Sequence, residues 1–178
     1  MIDWNASVRR TLLVATALLL SAPLLRSSIS CALVTRGDGL LYARDARASV
    51  MYRRAVEVDP GNEVAADRYA FAALLSHRRS EVEDGIRIAS LGLAAHPDDA
   101  ALRMDRALCL QRMKRFASAE TDFRRVALQT RNVQALAFAA ADARKLLRPA
   151  QARELLLLAA RVDPHYAPVQ RDLREMRP

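Results

Sequence analysis

The stretch Ala48-Ser49-Val50-Met51-Tyr52-Arg53-Arg54-Ala55-Val56-Glu57-Val58-Asp59-Pro60 constrains the fold more than any other, because its spacing returns in degenerate form three times before the C-terminus. It sets a small residue, an aromatic or Leu four later, a small residue three after that, and a Pro five beyond. Ala152, Leu156, Ala159 and Pro164 repeat it in full, Ala119, Phe123 and Val126 repeat it with Arg131 at the Pro position, and Gly85, Ala89, Gly92 and Pro97 form an all-small version. Steps of four and three keep these residues on one helical face, and Pro, which lacks an N–H, marks where each helix has ended. Each copy therefore reads as one helix plus its stop.

The Pro-position residues 60, 97, 131 and 164 stand 37, 34 and 33 residues apart. Those intervals leave room for one more helix and two short turns between consecutive stops, so the unit is a helical hairpin. In period and in its small, aromatic, small and Pro positions the chain resembles the tetratricopeptide repeat family. The best-matching copy has Ala107 and Leu110 on its first helix, Lys114-Arg115-Phe116 in the turn, and Ala119, Phe123 and Val126 on its second. It departs from the family where a large aromatic belongs early in the first helix: Arg103 stands there in the third copy and Leu136 in the fourth. The second copy carries three extra residues, placed in the polar run 76–84.

The resemblance implies an all-α fold: a right-handed solenoid of about three to four hairpins over residues 40–178, closed by a polar-faced capping helix in 167–177 and preceded by an N-terminal hydrophobic helix. Helices are expected near 40–58, 63–77, 83–95, 99–113, 116–129, 132–146 and 149–162. Asn62, Asp98 and Asn132 are the expected N-caps, and Pro149 fits a first helical turn, where no N–H is needed.

The N-terminal region follows a different pattern. Arg9 and Arg10 precede an uncharged run from Thr11 to Leu25, the order of a secretory signal or an uncleaved signal anchor. The run is shorter than the about 20 residues of a full span, and Ile29–Val34 would extend it. Residues 1–34 therefore read as a signal-anchor or transmembrane segment, which would put the repeat domain on the extracytoplasmic side of a single-pass membrane protein. Cleavage after Ala32, giving a secreted or periplasmic protein, and lipidation at Cys31 are the alternatives. Residues 35–39, with Gly37 and Gly39, read as a linker, and the Arg-Gly-Asp triplet at 36–38 is read as part of it.

Function is bounded mainly by exclusion. The net charge of +8 comes from 28 basic residues, all Arg except Lys114 and Lys145. Acidic residues are interleaved with them, as in Asp105-Arg106 and Glu120, Asp122 and Arg124. That pattern reads as a solvated helix surface, and with no aromatic interleaving it argues against a nucleic-acid partner. Cys31 and Cys109, with His77, His96 and His165, have no ligand spacing, so neither metal nor cofactor is expected. Nothing resembles a catalytic triad, a phosphate loop or paired carboxylates, and no enzyme is expected. What remains is a non-catalytic, membrane-tethered scaffold for a protein or peptide partner, or more narrowly an accessory subunit of an envelope secretion, pilus or polysaccharide-export machine. In the resembled family the first helix of each hairpin lines the peptide-binding face. That places Phe71, Leu75, Met104, Leu108, Arg112, Ala141, Arg144 and Lys145 in a candidate groove, an apolar floor with a basic end suited to an acidic partner.

Overall fold

The computed structural model describes residues 4–176, with side chains described at residue 11 and from 21 onward. Among these residues all regular structure is helical. The chain forms two compact units, residues 1–65 and 66–178.

The first unit is a hairpin of α1 (Trp4–Tyr42) and α2 (Arg47–Val58). Its two helices meet at small and polar contacts. Ser30, fully buried, donates from its hydroxyl to the Ala55 carbonyl at 2.9 Å and accepts from the Asn62 side-chain amide at 2.9 Å. One turn further on Val34 is buried, and at Gly37 the backbone comes so near the Tyr52 ring that an added Cβ would lie 2.5 Å from it. The Tyr52 hydroxyl then donates to Asp38 at 2.8 Å.

This hairpin corrects several expectations. Residues 35–39 continue α1 as helix, and the turn falls at Arg44, so the helix expected over 40–58 is two elements. Of Ile29–Val34, expected to extend a membrane span, Ser30 is instead buried and bonded to Ala55 of α2, and Val34 is buried, while Ile29 is exposed. Among the described residues no helix is long and apolar enough to cross a membrane, which overturns the single-pass placement. Most side chains of the uncharged run, residues 12–20, lie outside the described set.

α3 (Glu63–Leu75) spans the boundary, and from Ala66 the second unit continues as α4 (Arg79–Ala95), α5 (Ala100–Arg112), α6 (Phe116–Thr130), α7 (Val133–Lys145), α8 (Pro149–Val162) and α9 (Ala167–Glu175). Consecutive helices from α4 to α9 pack on one another, so the hairpins follow in sequence order. The repeated small and large positions form the core: Ala119, Phe123, Val126, Ala152, Leu156 and Ala159 of the second helices are buried together with Ala107, Ala139, Ala140 and Ala143 of the first ones. The all-small copy now has a physical reason. A Cβ on Gly85 would stand 2.7 Å from the Ala73 Cβ, and one on Gly92 would stand 2.6 Å from a Leu102 methyl. α4 thus lies too close to α3 for a side chain at Gly85, and at Gly92 a Cβ would require the Leu102 side chain to turn away. The three extra residues of this copy lengthen α4, which begins at Arg79 and runs for 17 residues.

Three hairpin turns share one geometry. Arg44, Lys114 and Leu147 adopt left-handed backbone, with φ of 56°, 59° and 58°. The following amides, Asp45, Arg115 and Arg148, reach back to the carbonyls of Leu40, Leu110 and Ala143 at 2.9 Å. This is a Schellman-type helix end of the kind glycine usually completes.

Two outcomes test this packing. Gly85→Ala gains about 1 kcal/mol of helix propensity but must force α3 and α4 apart, an overpacking cost of about 1–3 kcal/mol; thermal unfolding should show a net loss of stability. Leu147→Gly removes a side chain that is 88% exposed from a left-handed position and should stabilise by about 1 kcal/mol in denaturant titration.

Candidate partner-binding face

The first helices of the three later hairpins start from the same device. Asn62, Asp99 and Asn132 accept through a side-chain oxygen from the amides of Ala65, Leu102 and Ala135, at 3.0, 2.9 and 3.1 Å. The cap of α5 is Asp99, one residue beyond the expected Asp98. Each cap fixes where its helix begins, and therefore which residues share a row across α3, α5 and α7. Five residues after the caps stand Asp67, Met104 and Ala137; nine after, Phe71, Leu108 and Ala141; thirteen after, Leu75, Arg112 and Lys145. Steps of four keep the three rows on one face of each helix.

Seven of the eight residues expected from the sequence fall on these rows, and Arg144 lies beside the last. The middle row shrinks along the stack, from Phe71, 38% exposed, through Leu108 and Ala141, both half-buried. Met104 and Leu108 rest on the core beneath. The basic end is less free than expected, because Arg112 donates to the Leu74 carbonyl and Arg144 lies 3.9 Å from Glu175 of α9.

The structure adds two carboxylates absent from the expected set. Burial, reinforced by the neighbouring Asp67 charge, pushes the Asp105 carboxyl up to about 7, with Arg68 opposing and Asp99 adding. Burial also raises Asp67, with Arg68 at 3.4 Å pulling the other way. The available signal was the row itself, since Asp67 heads the column that continues to Phe71 and Leu75. Cys109 is buried near the Ala70 carbonyl, 3.6 Å away, and burial pushes its thiol up to about 12. Both cysteines are free.

Beneath the face, acidic residues expected to be solvated are buried. Asp122 takes a two-point contact from Arg106, at 2.8 and 2.7 Å. Glu120 accepts from the Gln151 amide, with Arg124 and Arg148 at 3.5 and 3.6 Å. Asp142, 1% exposed, accepts from Gln111 at 2.8 Å through one oxygen, and its other oxygen has no hydrogen-bond partner. Burial pushes this carboxyl up to about 6, against the Gln111 bond and with help from the Glu120 charge. Two of these bonds join residues about one repeat apart: α5 to α7 through Gln111 and Asp142, α6 to α8 through Glu120 and Gln151. They set the register between successive hairpins.

No family model and no curated protein matches the chain. Solved structures do. The chain is similar to PilF of Pseudomonas aeruginosa, with a TM-score of 0.68 and 19% identity over 85% of this chain and 68% of that one. MamA from Desulfovibrio magneticus RS-1 aligns with a TM-score of 0.66 and 13% identity over 75% of each chain. The first TPR domain of human RPAP3 aligns with a TM-score of 0.57 and 19% identity over 66% of this chain and 91% of that one. At such identities the likeness defines the fold, which is that of a tetratricopeptide-repeat protein.

A carboxyl whose folded pKa is raised favours folding most where it is protonated, and that contribution disappears as pH rises through the folded value. For Asp142 the window runs from its ordinary 3.8 to about 6. Asp142→Asn keeps an oxygen for Gln111 and removes the buried charge. The variant should be more stable than wild type at pH 8 by on the order of 1–3 kcal/mol in denaturant titration, and the advantage should vanish near pH 4. An equal advantage at both values would mean the charge is not the cause.

Proposed function

We propose that the protein is a non-catalytic interaction scaffold that binds a protein or peptide partner on the face formed by α3, α5 and α7. The row Phe71, Leu108 and Ala141 carries this reading, because its side chains shorten from one helix to the next and leave an apolar step at which a partner side chain is desolvated. Asp67 and Asp105 flank one end of the step, and Arg112 and Lys145 the other. The face therefore suits a segment that sets basic groups at one end and acidic groups at the other. The tetratricopeptide-repeat fold supports the reading, since stacked repeats display long contact surfaces without needing a reactive centre.

Leu108→Glu with Arg112→Glu should abolish capture of the partner by tagged full-length protein from cells that make it. Arg79→Glu with Arg87→Glu, exposed changes on α4, should leave capture intact. Melting curves must match wild type for both variants. Equal capture by the Leu108 and Arg112 variant would remove this face as the binding surface.

A further inference from the structure

A second surface lies on the second helices. Between α6 and α8, over the buried floor of Leu136 and Leu155, is a depression of about 220 Å³. Leu128, 81% exposed, forms one wall, with Leu157 and Leu158 on the other. Single exposed leucines need no explanation, but three around one depression form a patch of the kind that marks contact sites. Its volume falls below the about 300–1,000 Å³ of small-molecule pockets, so it fits side chains of a larger partner.

The charge around it follows from the buried acids. With Glu120 and Asp122 turned inward, the exposed charges of α6 and α8 are Arg124, Arg125, Arg153 and Arg161 against Glu154. Arg124 and Arg161 stand at the rim of the depression itself. A sequence with interleaved charge thus folds into a locally cationic outer surface around an apolar trough.

We infer that the α6–α8 trough is a docking site for an acidic amphipathic helix of a partner protein, with apolar residues seated between Leu128 and Leu158 and carboxylates facing Arg124 and Arg161. A trough between two helices accepts a helix presenting anchors one turn apart, whereas strand addition needs a sheet edge, which is absent among the described residues. A second copy of this face would bring arginine against arginine. Nucleic acid would find leucines where phosphates need donors and no aromatic lining for its bases. An anionic membrane would meet Glu154 in the trough wall. This inference is independent of the α3–α5–α7 face.

The probe is a fluorescein-labelled helical peptide of about 14 residues with Leu at i, i+3 and i+7 spacing and Glu on its flanks, titrated with the full chain by anisotropy. A counterpart with Lys for Glu is the control. Expected are at least about tenfold tighter binding of the Glu peptide and a loss of at least about tenfold in both Leu128→Ser/Leu158→Ser and Arg124→Glu/Arg161→Glu, with melting unchanged. Leu108→Glu/Arg112→Glu should bind as wild type. Equal affinity for the Lys peptide, insensitivity to the trough variants, or loss on changing Leu108 and Arg112 instead would each overturn the assignment. So would absence of Glu-peptide binding alongside trough-dependent binding of phosphatidylserine vesicles or duplex DNA.

Discussion

Close approach of helices at small residues underlies every part of this structure. In the first unit Gly37 lets α1 lie against the Tyr52 ring, and in the second Gly85 and Gly92 let α4 lie against Ala73 and Leu102. Elsewhere Ala119, Ala152 and Ala159 occupy the same repeat positions and are fully buried. With aromatics at 5% of the chain, the core has few large side chains to fill wide gaps, and stability depends on backbones coming near enough for many short contacts. The same closeness leaves no slack, so a single methyl group at Gly85 is a structural change.

Once the helices are close, their registers are set by polar atoms. The caps Asn62, Asp99 and Asn132 start α3, α5 and α7 at equivalent points. The Gln111–Asp142 and Gln151–Glu120 bonds hold successive hairpins one repeat apart. Buried polar pairs of this sort contribute little net stability, yet they penalise any slip that would strand one member in the core. The rows on the first helices are a by-product of that register.

These rows explain what could be read from the sequence. Spacing between the stops was enough to place the later hairpins, and the family resemblance put Phe71, Leu108 and Ala141 in the candidate groove; that they share a row follows only from the caps of α3, α5 and α7. The fate of the charges was not legible: Glu120 and Asp122 look like ordinary exposed helix residues beside Arg124, and only the reach of Arg106 and Gln151 from neighbouring helices shows that they turn inward. Residues 29–39 were misread for a related reason. Glycine and a nearby apolar run mimic a joint after an anchor, whereas the pairing of Gly37 with Tyr52 and of Ser30 with Ala55 depends on contacts 15 and 25 positions apart in the chain. Local pattern carries no trace of such partners.

Inward burial of the acids also bears on how molecules of this protein behave in a crowd. The leucines of the α6–α8 trough are bordered by Arg124 and Arg161 against the carboxylate of Glu154, with Glu120 and Asp122 taken inside, so two molecules meeting trough to trough feel a net like charge before they feel apolar contact. That is a colloidal guard over an otherwise adhesive surface. Its range is set by the Debye length, about 30 Å at 0.01 M salt and about 8 Å at 0.15 M. The guard is therefore long-ranged in dilute buffer and short-ranged at about 0.15 M salt, where apolar contact between leucines is no longer held off at a distance.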